Sequence, residues 1–334
     1  MSVFNWAIVG TGGIAERFAS VLCQSDKYGK IKGVLGTSES KALAFMRSSA
    51  RGLVAEPNCY TNISELIEDG GVDAVYVATP HPSHYTLAAA LLKAKKPVLC
   101  EKPLTINSKQ ASELVALSGE SHTFLMEALW TKTLPIWRRI ESIIEADQIG
   151  IVDNYSCDLS YYFPFEPKHR LFNRELGGGV TLDLAVYPVA LANALSGVPT
   201  GILASTVLCE TGVDAKTSIA LTFEDGVTGL FYSSCHSNSE GVFRITGSKG
   251  ILEAHNLFSG GAQSIILNID GIRAEEVFEF DVNGFEYQIS EAISCVRAGK
   301  TQSDLVPHKN TLEVLRVLDA VGNQIGLNYS ESSL

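Results

Sequence analysis

A short apolar run, Trp6-Ala7-Ile8-Val9, leads directly into Gly10-Thr11-Gly12-Gly13-Ile14-Ala15 near the start of this 334-residue chain. A run of that length suits a strand buried on both faces. The loop after it matches G-x-G-x-x-G/A, with alanine in third place. Gly10 permits a tight turn, Gly12 lets the backbone approach a pyrophosphate, and a small Ala15 lets the next helix lie close to the strand. The bare motif is weak. Placed between a strand and a helix, it reads as a dinucleotide-binding loop rather than a plain structural turn. Phosphate held there needs no basic surface, because N–H groups at a helix N-terminus supply partial positive charge.

The alternation continues after the loop. Residues 13–24 read as a helix, Ile31 to Leu35 as a second strand, and 39–50 as a helix. Cys59-Tyr60 reads as a short third strand, and Thr61 or Asn62 as the cap of a helix holding Leu66 and Ile67. Asp73 to Ala78 is a strong strand, stopped by a turn at Thr79-Pro80-His81-Pro82-Ser83 and followed by a helix to about Ala94. Pro97 to Cys100, a helix capped by Asn107, and a strand from His122 to Met126 complete this half. Such alternation predicts an α/β fold, a doubly wound, mostly parallel Rossmann sheet with helices on both faces.

The second half reads differently. Residues 135–147 are helical in pattern, Ile151 to Tyr162 strand-like, and Gly177-Gly178-Gly179 precedes a helix to about Leu195. Many strand-like runs with turn signals fill 203–279, which predicts a large, mainly antiparallel sheet. Helices at 284–299 and 307–325 close the chain, and Ser330 to Leu334 reads as a frayed tail. The length calls for two domains, expected at residues 1–126 and 127–334.

Composition excludes several classes. A net charge of −11 opposes nucleic-acid binding, since phosphate backbones require basic surface. The start, Met1 to Ala7, has no basic region of a signal peptide, and no apolar run approaches the roughly 20 residues that span a bilayer. Seven scattered cysteines without a C-x-x-C argue for free thiols in a reducing cytoplasm, not a disulfide framework or a zinc site.

The second strand ends Leu35-Gly36-Thr37-Ser38, without the Asp or Glu that accepts from the ribose 2′-OH of NAD. Ser38 and Ser40 can bond a 2′-phosphate and Lys41 can neutralise it, so Thr37, Ser38 and Lys41 incline the reading to NADP over NAD. Alternatively, Ser38 only caps the next helix. Strand ends border the ligand crevice. Thr79, Pro80 and His81 lie at one such end and Glu101 and Lys102 at another, all candidates to touch the cofactor. His84 reads as a helix-start residue in the same group. His81 and His84 have no third ligand partner, so no metal is expected. The three glycines at 177–179 allow close approach of backbone to a ligand, or form a capping turn. On a helix, Asp183 and Tyr187 share one face. Trp130 and Phe163 either wall a substrate pocket or serve as core aromatics.

The glycine loop, Ala78-Thr79-Pro80-His81-Pro82-Ser83-His84, Glu101-Lys102-Pro103 and the stretch from Gly177 to Tyr187 together resemble the glucose–fructose oxidoreductase / inositol dehydrogenase / MocA family, from residue 4 to about 195 and more weakly beyond. The resemblance implies a Rossmann domain joined to an α/β domain with an open, mostly antiparallel sheet, and a homodimer or homotetramer formed through that sheet. Many members carry Asp-x-x-x-His where this chain has Asp183-x-x-x-Tyr187. That tyrosine, with Met126 to Pro135, resembles the trans-dihydrodiol / NADP-dependent D-xylose dehydrogenase subgroup. It implies hydride transfer to or from a hydroxyl-bearing carbon of a polyol, sugar or diol. Tyr187 would exchange the hydroxyl proton, Lys102 would favour its phenolate, and Asp183 would orient Lys102 or a substrate hydroxyl. Two other readings stand beside this one. An NAD-dependent inositol or sugar dehydrogenase is opposed by Tyr187 and by the missing acid. A non-catalytic dinucleotide-binding regulator is opposed by the presence of both Lys102 and Tyr187.

Overall fold

The computed structural model describes residues 2–329, so the tail from Ser330 to Leu334 lies outside the described residues. The chain forms two compact units. The first contains β1 (Asn5–Val9), α1 (Gly13–Leu22), β2 (Lys30–Leu35), α2 (Glu39–Ser48), β3 (Leu53–Tyr60), α3 (Ile63–Glu68), β4 (Ala74–Val77), α4 (His81–Lys93), β5 (Val98–Glu101), α5 (Ser108–Ser121) and β6 (Leu125–Ala128). Its six strands are all parallel, in the order β3-β2-β1-β4-β5-β6. Every residue of β4, β5 and β6 is buried, which is why they are apolar apart from Glu101 and Glu127. Trp6, Phe18 and Tyr76 make the aromatic centre, with Phe18 stacked on Tyr76 at 3.9 Å between centroids. The strand order reverses between β1 and β4, and a crevice opens at such a point beyond the carboxyl ends of the strands.

β3 runs for eight residues, Leu53–Tyr60, rather than the Cys59-Tyr60 pair expected. It is the sheet edge, where Pro57 needs no ladder donor and Glu56 and Asn58 face water or the boundary. The expected turn at 79–83 is the first turn of α4, with prolines where helix N–H groups have no intrahelical partner.

The second unit contains α6 (Pro135–Glu145), β7 (Val152–Ser160), α7 (Val186–Ser196), β8 (Gly201–Leu208), β9 (Asp214–Thr222), β10 (Thr228–Ser234), β11 (Phe243–Gly247), β12 (Gly250–His255), β13 (Gln263–Ile269) and β14 (Ile272–Phe278). These strands form one sheet in the order β14-β13-β12-β11-β7-β10-β9-β8. All neighbours are antiparallel except β7 and β10. The inner face packs Tyr155 against Phe223 and Phe243, and α7 lies on β7 and β10. The outer face is a broad concavity of about 990 Å³ that includes Asp158, Ser218, Tyr232, Arg244 and Glu253. Leu203 on that face is 73% exposed.

Contrary to the expectation that no stretch is long and apolar enough to span a membrane, Arg174–Ser196 meets both criteria. It is 83% buried within the unit, as a core helix must be. The chain also passes between the units more than once. Asp281–His308, which the sequence pattern groups with the second half, packs with the first unit. There α8 (Phe285–Arg297) is tied to α1 by Arg17, whose guanidinium lies 4.7 Å from the Trp130 ring and 4.6 Å from the Phe285 ring. Arg17 also donates to Asn283 O at 2.7 Å. The last helix, α9 (His308–Ile325), belongs to the second unit from Lys309 onward.

Candidate active site

In the first unit the loop after β1 does what its residue types require. Gly10 sits at φ +107, donates to Leu35 O at 2.9 Å, and a Cβ there would overlap Ala78 O. Gly12 caps α1 in extended backbone, and Gly13 begins the helix. A Cβ on either would meet no atom of the described residues within 4 Å. Gly12, Gly13 and Ile14 are exposed, Thr11 is half-buried, and Ala15 is buried against the sheet. A helix N-terminus with N–H groups and open space before it is a fitting cradle for a dinucleotide pyrophosphate.

At the end of β2, Thr37, Ser38 and Lys41 are exposed. Ser38 caps α2 by accepting from Lys41 N at 3.3 Å, and its Oγ lies 3.1 Å from Ser40 Oγ. The capping role left open by the sequence is therefore realised.

At the ends of β4 and β5 two of the candidate residues, His84 and Glu101, are buried within the unit. His84 is fully buried. Its Nε2 lies 2.8 Å from Thr79 O and its Nδ1 3.0 Å from Pro103 O. It is a buried strut that joins the end of β4 to the segment after β5. Burial holds its pKa below the ordinary value. Glu101 is likewise internal: 6% exposed, it accepts from Tyr76 OH at 2.5 Å and from Lys102 N at 3.3 Å. A second buried carboxylate, Glu127, accepts from Leu104 N at 2.9 Å. Thr79 Oγ1 accepts from Ser83 Oγ at 2.7 Å, and Pro80 is the N-cap of α4. His81 is 7% exposed, its ring 5.8 Å from that of His84. Lys102 is half-buried and joined to Pro103 by a cis peptide. Trp130 is 3% exposed between Arg17 and Phe285, the packing of a core aromatic rather than a pocket wall.

In the second unit Gly178 and Gly179 face atoms of their own chain. A Cβ on Gly178 would lie 2.6 Å from Leu171 O and 2.7 Å from Arg170 O. Gly179, at φ +106, would overlap Asp214 Oδ1. Asp214 is fully buried, and its Oδ2 accepts from Thr181 N (2.7 Å), Thr181 Oγ1 (2.6 Å) and Thr217 Oγ1 (2.8 Å). Its Oδ1 is buried without a hydrogen-bond partner among the described residues. Burial pushes this carboxyl up to about 6. Tyr329 OH donates to Gly178 O.

The helix expected after the triplet opens with a wide π turn at Thr181–Ala185 and continues as α7. Asp183 is 6% exposed and gripped by the Arg170 guanidinium, at 3.0 Å to Oδ1 and 3.1 Å to Oδ2. Sequence reasoning missed Arg170, which lies in an aromatic-rich loop outside any helix or strand. Tyr187 is half-buried, its ring 5.7 Å from Phe258. Phe163 is half-buried and stacks on His169 at 5.7 Å.

Two family profiles match the chain. One, an oxidoreductase family with an NAD-binding Rossmann fold, spans residues 4–129, and the other, a GFO/IDH/MocA C-terminal domain, spans residues 137–253. D-xylose 1-dehydrogenase (NADP(+)) of Hypocrea jecorina is 30% identical, over 98% of this chain and 93% of that protein. Trans-1,2-dihydrobenzene-1,2-diol dehydrogenase of Mus musculus is 28% identical over 98% of both. Among solved structures, a 3-ketoreductase from Actinomadura kijaniata in complex with NADP and TDP-benzene superposes with a TM-score of 0.87 at 22% identity, covering 98% of this chain and 100% of that one. An aldose-aldose oxidoreductase from Caulobacter crescentus gives 0.86 at 22% identity, covering 97% of each. At that identity the likeness establishes the fold.

Proposed function

The chain belongs to the GFO/IDH/MocA oxidoreductase family with its NAD-binding Rossmann fold, and on that premise we propose that it is a dehydrogenase of sugars or cyclic diols with NADP as preferred cofactor. The observation that carries the reading is the glycine loop: Gly10 is demanded by the protein's own atoms, whereas Gly12 and Gly13 look into open space at the N-terminus of α1. N–H groups there hold the pyrophosphate. Thr37, Ser38 and Lys41 would hold the 2′-phosphate, and Thr79, Pro80, His81 and Lys102 would hold the nicotinamide end. The preference for NADP is supported by the exposed Lys41, by the missing strand-end acid, and by the NADP named for the Hypocrea jecorina relative.

When bound, the nicotinamide supplies the hydride acceptor or donor. The remaining chemistry is proton handling and orientation by side chains. Tyr187 exchanges the proton of the reacting hydroxyl. Lys102 supplies positive charge, which favours the phenolate form of a tyrosine base. Asp183 accepts from a substrate hydroxyl, and Phe163 walls the substrate. His84 holds Thr79 and Pro103 in place from within. The outer face of the eight-stranded sheet, with Leu203 and Leu230 exposed, supports association of two copies. The seven free cysteines fit a cytoplasmic setting.

The test is fluorescence titration with NADPH and NADH, followed by turnover of D-xylose and of a trans-dihydrodiol. NADPH binds the tighter, and Tyr187→Phe lowers kcat by about 10²-fold or more while leaving NADPH affinity unchanged. Absence of binding by either cofactor refutes the reading.

A further inference from the structure

The segment before the glycine triplet is a built object rather than a slack loop. Its start is pinned by Tyr161 N to Ser234 O and Phe163 N to Cys235 O, each at 3.0 Å. Its turn is closed by His169 N to Glu166 O and Phe172 N to His169 O, each at 2.9 Å. Rings brace it: Phe163 on His169, and Phe165 edge-on to Phe172 at 5.1 Å. Leu171 and Phe172 are buried beneath. At its far end, Gly179 N donates to Leu171 O at 2.8 Å and Gly178 N to Asn173 O at 3.0 Å. Any side chain on Gly178 would collide with the carbonyls of Arg170, Leu171 and Asn173. The triplet therefore exists in part to let the backbone of Arg170 come close.

The effect is to set one guanidinium on one carboxylate. Arg170 meets Asp183 through two N–H groups and two oxygens, the planar fork that lysine cannot reproduce. The Asp183 side chain is 8% exposed and the Arg170 side chain 48% exposed, so a buried carboxylate is paired with a guanidinium that reaches solvent. A fork fixes the plane of a carboxylate as well as its charge.

We propose that Arg170 is a specificity-determining residue: by holding the Asp183 carboxylate in one plane, it fixes the direction from which a hydroxyl of the sugar or diol substrate donates to it. This rests on the reading above that Asp183 meets the substrate. Arg170 acts through Asp183 and is a positioning residue, so its signature is in substrate affinity and geometry rather than in the chemical step.

The experiment compares wild type, Arg170→Ala and Arg170→Lys in the whole chain, with D-xylose and a trans-dihydrodiol as substrates. Arg170→Ala raises KM by at least about tenfold with kcat little changed. Arg170→Lys recovers only part of the loss, and guanidinium at a sub-denaturing concentration recovers more than methylammonium does. A fall in kcat with KM unchanged, or full recovery by Arg170→Lys, overturns the proposal. A second readout needs neither turnover nor cofactor. Saturation-transfer NMR with xylitol as probe shows contact in wild type and loses it in Arg170→Ala, and equal signals in both overturn the proposal. If wild type turns over neither substrate yet contacts xylitol in an Arg170-dependent way, the substrate assignment fails while the role of Arg170 stands.

Discussion

Two glycine-rich stretches in this chain use the same residue for opposite ends. Gly12 and Gly13, at the start of α1, look into space that no protein atom fills. Gly178 and Gly179 look into the carbonyls of residues 170–173 and the carboxylate of Asp214. The first pair keeps room for something from outside. The second pair lets the chain fold back upon itself and so places Arg170, Asp183 and Thr181. Glycine in a sequence reports that a side chain is forbidden, and only the surroundings say by what.

The comparison breaks first, and with the largest effect, at Gly179. Gly179→Ala both overlaps Asp214 Oδ1 and forces alanine into φ +106. Overpacking and a strained backbone add to about 3 kcal/mol or more of lost stability. Urea denaturation reads it, and a variant within about 0.5 kcal/mol of wild type contradicts the assignment of the triplet to internal packing.

Asp214 offers the next test, through pH. Its carboxyl is raised from 3.8 to about 6 by burial, so the folded state binds its proton more tightly than the unfolded state. The stability tied to that proton is fully present below about pH 4 and is lost as pH rises to about 6, a change of about 3 kcal/mol. Asp214→Asn carries no such charge. Its stability relative to wild type therefore improves by about that amount between pH 4 and pH 7 in parallel denaturation curves. Parallel pH profiles for the two proteins would show that Asp214 is stably ionised throughout.

These same positions mark where the sequence was legible. β1, β4 and β5 were visible because strands covered on both faces carry apolar runs, Trp6–Val9, Ala74–Val77 and Val98–Cys100, and the glycine loop was visible because a local turn and a local helix start specify it. β3 was mostly hidden, because an edge strand tolerates Glu56, Pro57 and Asn58. The partners of the site residues were hidden for a different reason. Arg170 meets Asp183 across 13 positions, Thr181 meets Asp214 across 33, and His84 meets Pro103 across 19. No local periodicity encodes such pairs. The return of α8 to the first unit likewise depends on Arg17, whose backbone carbonyl and side chain engage Asn283 from 266 positions away. Lys102 and Tyr187 stand out only through the family resemblance of their neighbouring residues, because spacing alone does not distinguish them from a surface lysine and a core tyrosine.

The subtlest test lies at Gly12, and there stability and binding must part company. Gly12 has φ −85 and ψ 175, extended backbone that alanine adopts without strain, and a methyl group there meets no protein atom. Gly12→Ala therefore changes stability by less than about 1 kcal/mol, the scale of a poorer helix cap. The same methyl stands where a pyrophosphate must approach the N–H groups of α1, so NADPH affinity falls by at least tenfold, about 1.4 kcal/mol. Denaturation and fluorescence titration on one preparation read both quantities. Unchanged affinity would mean that the open space before α1 is not where the dinucleotide lies, and the contrast with Gly179 would lose its functional half. Lost stability with it would mean that both glycine stretches serve packing, and that the dinucleotide must be sought along another strand end of the parallel sheet.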